Sequence, residues 1–229
     1  MNGQVIIDSL PLYAQGAVVT LQLLVVSLLL GLVLALPLAL LRSAHSPWAW
    51  RPVWCFTYVM RGTPLLVQLF LIYYGLAQFE AVRASVAWPW LRSPWFCAVL
   101  AFALNTGAYT TEILAGAIRA VPAGEIEAAR AYGMPRRVTL LRLVLPQALR
   151  RALPAYSNEV VLMLHATSLA SVVTLHDLTG VAREVNAAHY LPFEAFITAA
   201  VGYLLITVVL VALFHAAERR WLAPLSRSA

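Results

Sequence analysis

The chain has 229 residues, 62% of them hydrophobic and 11% charged, and a formal net charge of +6. Soluble domains of this length carry about a quarter charged residues, so the composition excludes an ordinary water-soluble enzyme, and the length leaves no room for a second module. The basic residues are all arginines in short segments between long apolar runs, a pattern that membrane topology demands and nucleic-acid binding does not.

The N-terminal stretch MNGQVIIDSLPLYAQG lacks a basic n-region and a small-residue cleavage site, so it reads as leading into a retained first span. That span is expected over 16–41, without a charge. The second, 53–76, carries Arg61 and is interrupted by Gly62-Thr63-Pro64. A loop with Trp88, Pro89, Trp90 and Pro94 follows and is expected along the membrane surface. The third span, 95–118, contains Glu112; the fourth, 154–175, contains Glu159; the fifth covers 193–217. Between the fourth and fifth, 176–192 has room for a short helix ending near His189. Each apolar run approaches or exceeds the roughly 18 residues that cross a bilayer. The fold class expected is therefore an all-α integral membrane protein of about five transmembrane helices, in one domain.

Orientation follows from the arginines. With the N-terminus outside, the inner segments receive Arg42, Arg51, Arg119 to Arg151, Arg219, Arg220 and Arg227, and the outer loops only Arg83, Arg92 and Arg183. The opposite orientation reverses the bias, so N-out and C-in is expected. Trp48, Trp50, Trp88, Trp90, Trp95 and Trp221 fall at span ends, where interfacial anchors belong. Cys55 and Cys97 form no CxxC pair, and the five histidines lack ligand spacing, so no metal site is expected. No nucleophile is set beside a base and an acid in the pattern of a catalytic site, so no catalytic residue is assigned.

The longest inner segment, 119–151, reads as two short helices. Pro122 stands where a first turn begins, with Glu125 and Glu127 near the positive dipole end. Gly133 supplies a left-handed stop, and Pro135 opens a second helix that Pro146 should kink or end. From spacing alone, a surface loop whose arginines merely fix topology is an equal reading. The small residues Ala123, Ala128, Ala129 and Ala131 lean toward a docking face.

Glu127-Ala128-Ala129, then Gly133, then Leu143-Val144-Leu145-Pro146 resembles the EAA motif of ABC importer membrane subunits, with Leu143 where the family usually has isoleucine. MRGTPLLVQLF from Met60, LNTGAYTTEILAGAIRAVPAGEIEAARAYG from Leu104, ALPAYSNEVVLMLHATSLA from Ala152 and the closing AERRWLAP narrow it to the polar-amino-acid permeases. Within these the chain is most similar to the histidine/lysine-arginine-ornithine branch, over nearly its whole length and least in residues 80–94. The resemblance implies the type I importer permease fold in the bacterial inner membrane. It also implies import of cationic amino acids (histidine, lysine, arginine, ornithine), with opines or other polar amino acids as the alternative. A periplasmic solute-binding protein would deliver the solute, a second, related permease chain would complete a heterodimer in the lipid bilayer, and a dimer of ATP-binding subunits would drive transport. Glu127, Ala128, Ala129 and Gly133 would form the coupling helix. The chain has no GxxxxGK[ST] loop, so no cofactor is expected in it, and ATP and magnesium belong to the ATPase partner. A stand-alone secondary transporter or channel is the other class, but it leaves the EAA segment unexplained.

Acids inside spans are costly, by about 2.5–3.5 kcal/mol on insertion scales, and call for a partner or a wet cavity. Glu159, with Ser157 and Asn158 beside it, is expected to provide substrate contacts as a counter-charge for a cationic solute; an ion pair with a neighbouring arginine is the plainer reading. Glu112 is expected to pair with Arg61 as a structural brace. Gln68 shares a helix face with Arg61 and offers hydrogen bonds either to the solute or to a neighbouring helix. His165 reads as a packing residue.

Overall fold

The computed structural model describes residues 3–44 and 46–222, which leaves His45, Arg227 and the end of the AERRWLAP stretch outside the described residues. Among the described residues the chain is helical throughout. Helix α1 spans Gly3–Arg42, α2 Pro47–Gly62 and α3 Leu65–Phe70. A π turn, Leu71–Gly75, and a 3-10 turn, Leu76–Gln78, continue α3. Two single-turn helices, α4 (Glu80–Arg83) and α5 (Trp88–Leu91), fill the following loop. Then come α6 (Pro94–Arg119), α7 (Ala123–Ala131), α8 (Arg136–Thr139), α9 (Leu145–Ala166), α10 (Leu178–His189) and α11 (Pro192–Leu222).

Helices α1, α6 and α11 are each long and apolar enough to cross a membrane alone; two bent pairs, α2 with α3 and α9 with α10, bring the number of crossings to five if each bent pair counts as one. Helix α1 starts well before the expected 16–41 span. Its apolar pattern continues toward the N-terminus, where Val5, Ile6 and Tyr13 pack on α10 and α11, and the Tyr13 hydroxyl donates to the Ala195 carbonyl at 2.8 Å. At 40 residues it is about 60 Å long, well beyond the roughly 30 Å of hydrocarbon.

The expected second span, 53–76, is two helices that meet at 102°. Proline 64 has no N–H, so the Met60 carbonyl four residues earlier loses its helical partner. At Pro146 the helical run changes type without a break: Pro146 is the second residue of α9 and follows a π turn. The π turn Leu140–Val144 is closed by the Leu145 N–H on the Leu140 carbonyl. That wider turn accommodates the proline ring, and one helical run passes from Arg136 into the fourth span, ahead of the expected start at 154.

Helix α6 is the central post. It packs along α1, where a Cβ on Gly31 would lie 2.5 Å from Thr106 Cγ2 and 3.1 Å from the Gly107 nitrogen. Glycine on both helices lets the two backbones touch. Toward the C-terminal ends of α1 and α6, Ala35, Ala39, Leu114, Ala115, Ala117, Ala148 and Ala152 form a small-residue seam among α1, α6 and α9. Nearer the middle of α1, Leu23, Leu24, Leu69, Phe102, Met163 and Leu164 build a bulkier core.

Candidate functional site

The break in span two is mended by side chains. Gln68 Nε2 donates to the orphaned Met60 carbonyl at 2.7 Å and reaches the Thr63 hydroxyl at 2.8 Å and the Thr63 carbonyl at 3.1 Å. Asn105 Nδ2 of α6 donates to the same Met60 carbonyl and to Gln68 Oε1, both at 3.1 Å. Gln68 is buried and its amide is committed to the chain itself, including a bond across to α6, the second of its two expected uses. The sequence held the signal: a proline orphans the carbonyl four residues before it, and an amide one helical turn later can reach back.

At the next position of α6, Thr106 donates to Glu159 Oε1 at 2.9 Å. Glu159 is 5% exposed, between α6 and α9, and forms no ion pair among the described residues. Its expected companions part from it: Ser157 is half-buried and Asn158 is exposed on another face of α9.

Glu112 pairs with Arg42 rather than with Arg61. Arg42 Nε donates to Glu112 Oε1 at 2.7 Å, and the Thr57 hydroxyl donates to the same oxygen at 2.7 Å. The reason is geometric. Arg42 ends α1, the helix packed most closely on α6, and lies level with Glu112. Arg61 instead lies over the Tyr109 ring, 5.0 Å from its centroid, with its head exposed. Arg42, Thr57, Arg61, Gly62 and Glu112 share the lining of a pocket of about 330 Å³ with Trp54 and Tyr58.

Between α6 and α9, α7 carries the expected coupling residues. Glu127 and Ala128 are exposed, and Ala129 is buried against the chain. Gly133 has φ +72°, the left-handed conformation that glycine adopts without strain. The Met134 N–H reaches the Ala129 carbonyl at 3.0 Å, and the Gly133 N–H reaches that of Arg130 at 2.9 Å. These two bonds close α7 as a Schellman motif. Gln147 Nε2 donates to Glu125 Oε2, tying α7 to the start of α9, and Arg151 Nη1 donates to the Ala120 carbonyl at 3.3 Å. The helix is thereby fixed to two spans, and its outer surface stays open, with Tyr132 90% exposed at its end.

One buried acid was missed from sequence. Asp177, fully buried, caps α10 through the Gly180 and Thr179 N–H groups at 3.0 and 3.3 Å, and Tyr203 of α11 donates to it at 2.8 Å. An aspartate followed by a helical run is an N-cap signal, and it would have located this joint. Among the described residues no group of histidine, cysteine and acid side chains could hold a metal.

Up to five crossings around a buried polar centre define a polytopic membrane protein. The chain belongs to the family described as binding-protein-dependent transport system inner membrane component, which matches residues 27–223, and it is an ABC transporter permease subunit of the amino-acid type. It is 54% identical over 208 residues to the histidine/lysine/arginine/ornithine transport system permease protein HisM of Escherichia coli (strain K12), covering 90% of this chain and 87% of that one. It is 48% identical over 229 residues to the nopaline transport system permease protein NocM of Agrobacterium fabrum, covering 100% and 95%. A crystal structure of an amino acid ABC transporter with histidines superposes with a TM-score of 0.86 at 33% identity, covering 96% of this chain and 99% of that one.

Proposed function

We propose that this permease forms half of the path of an ATP-driven importer of cationic amino acids and that Glu159 receives the cationic end of the solute. The carrying observation is a carboxylate inside a span with a threonine hydroxyl as its hydrogen-bond partner and no cation paired to it among the described residues. Such a group is costly unless its charge is used or neutralised. Arg61 is the natural complement for the α-carboxylate. It stacks on Tyr109, which lies three residues from Thr106 on the same face of α6, so the cation and the acid stand about one turn apart. Ser157 and Asn158 lie outside this frame and take no part in it.

In this reading α7, with Glu127, Ala128 and Gly133 outward, docks on one of two ATP-binding subunits, which carry ATP and magnesium. A periplasmic binding protein supplies solute at the outer face, and a second, related permease chain completes the path. The N-terminus lies outside and the C-terminus in the cytoplasm, on the arginine bias. A labelling experiment in a C55S/C97S background checks that orientation: a cysteine at Ser85 should react with an impermeant maleimide in intact cells, and one at Gly124 only after permeabilisation. The reverse pattern overturns the topology.

Transport by the reconstituted complex tests the solute reading. Glu159→Gln keeps shape and hydrogen bonding but removes the charge, so arginine uptake should fall about tenfold, the loss expected for one charge-assisted hydrogen bond. Capture by the isolated binding protein should not change. Arg61→Gln should impair every amino acid alike, because all carry the α-carboxylate. Equal losses for arginine and neutral histidine in Glu159→Gln would refute the counter-charge role. Opines remain the second reading, favoured by the nopaline permease relative. They carry extra carboxylates, and excess nopaline competing with arginine uptake would support them.

A further inference from the structure

The facing ends of α1, α2 and α6 enclose a pocket of about 870 Å³ that the transport reading does not use. Arg42, Arg51 and Arg119 line it together with Trp50, Trp54 and Cys55. Arg42 is offset by Glu112. Arg51 and Arg119 are exposed and make no hydrogen bond or ion pair with a side chain or carbonyl among the described residues. The guanidiniums of Arg42 and Arg51 lie 5.7 and 5.9 Å from the centroid of the same Trp50 ring, which holds both heads in one wall. Two positive charges therefore converge on a concavity with no lining carboxylate. The ends of α1 and α6 add partial negative charge and the start of α2 adds partial positive charge, about half a unit each, so the surplus survives the helix dipoles.

The surroundings say what kind of anion fits. Trp48 beside the pocket is 92% exposed, as a side chain at the headgroup level of a bilayer should be. Along α2 the wall continues into the span as exposed Trp54, stacked on exposed Tyr58 at 5.2 Å, followed by exposed Val59. A phosphate ion or an acidic side chain of a soluble protein has no use for such a wall, whereas an amphiphile fills both parts. We infer that this pocket binds the headgroup of an anionic phospholipid, with Arg51 and Arg119 holding the phosphodiester and Trp54 and Tyr58 lying along the glycerol and upper acyl chain. Basic pockets between spans at a membrane surface recognise lipid headgroups by this combination of guanidinium and interfacial aromatic groups. The leaflet follows from the proposed orientation; the site itself does not depend on it or on the identity of the solute.

The test uses the full-length chain purified with the subunits that accompany it, delipidated in neutral detergent and titrated with phosphatidylglycerol in mixed micelles. Thermal unfolding is read at each step, and phosphatidylcholine and inorganic phosphate form parallel arms. Phosphatidylglycerol should protect the wild type and the other two should not. R51Q/R119Q should need about thirtyfold more phosphatidylglycerol for half-maximal protection, and either single variant about fivefold more. R83Q/R92Q, with both arginines outside the pocket, should titrate like the wild type. Native mass spectrometry of retained phosphatidylglycerol gives a readout that does not depend on the stability of the variants, and R51Q/R119Q should retain less. An unchanged titration in R51Q/R119Q overturns the site, and equal protection by inorganic phosphate overturns its assignment to a lipid. Loss of an ATPase subunit from R51Q/R119Q at every lipid concentration, with the titration unchanged, would identify an acidic protein partner and also overturn it.

Discussion

Helix α6 buries Asn105, Thr106, Thr110 and Thr111 against its neighbours, whereas α11 turns Val201, Leu204, Leu205, Val208, Val209 and Leu213 outward. Of the helices able to cross alone, α6 is the least apolar and the most enclosed, and α11 is far more apolar and almost unburied. In water this order would be inverted. In a bilayer the solvent is as apolar as leucine, so aliphatic side chains can face outward at no cost, and polar groups must turn toward protein. Burial in α6 therefore marks where hydrogen bonds and close backbone contact concentrate. Exposure on α11 is what a lipid-facing helix would show.

Substitutions should sharpen that contrast. The largest effect is expected at Gly31→Leu, where the new side chain meets Thr106 and the α6 backbone at Gly107. Overpacking at a backbone crossing should cost about 3 kcal/mol, seen as lost folded protein and a lower unfolding temperature in detergent. Next comes Glu112→Gln. It leaves Arg42 without its counter-charge at a half-buried pair and should cost about 2 kcal/mol. Combining it with Arg42→Gln should restore part of that loss, and strict additivity in the double-mutant cycle would show that the pair is not coupled. The smallest effect should come from Val208→Ala on the outer face of α11, within about 0.5 kcal/mol of wild type. A large loss there would mean that α11 meets a protein surface and not lipid.

The apolar runs made the long helices legible, because a run without charge has few uses besides crossing a membrane. The inner helix was legible too, since Pro122, Gly133 and Pro135 mark its ends by backbone chemistry alone. The pairing of buried charges was not. Arg42 and Glu112 are 70 positions apart in sequence, and their meeting depends on how closely α1 approaches α6, which the glycines at 31 and 107 set. Arg61 was expected in its place because sequence shows which side of a membrane a residue enters from but not which helix it faces. For Gln68 the sequence left two uses open, and the choice between them depends on a break whose 102° angle appears only in three dimensions. The continuity through Pro146 depended on a single π turn, for which the sequence has no signature.

The amides that mend span two have a mechanical consequence. In an unbroken helix, bending requires several backbone hydrogen bonds to stretch together, so the rod is stiff. At Gly62-Thr63-Pro64 the two segments are joined by one strand of chain and by the carboxamides of Gln68 and Asn105, each on rotatable bonds. A side-chain amide can follow a moving carbonyl through a change of torsion angle, keeping its bond while the angle between the segments changes. The joint therefore resists separation far more than rotation. Because Asn105 precedes Thr106, the partner of Glu159, this joint is tied to α6 at the level of the buried carboxylate.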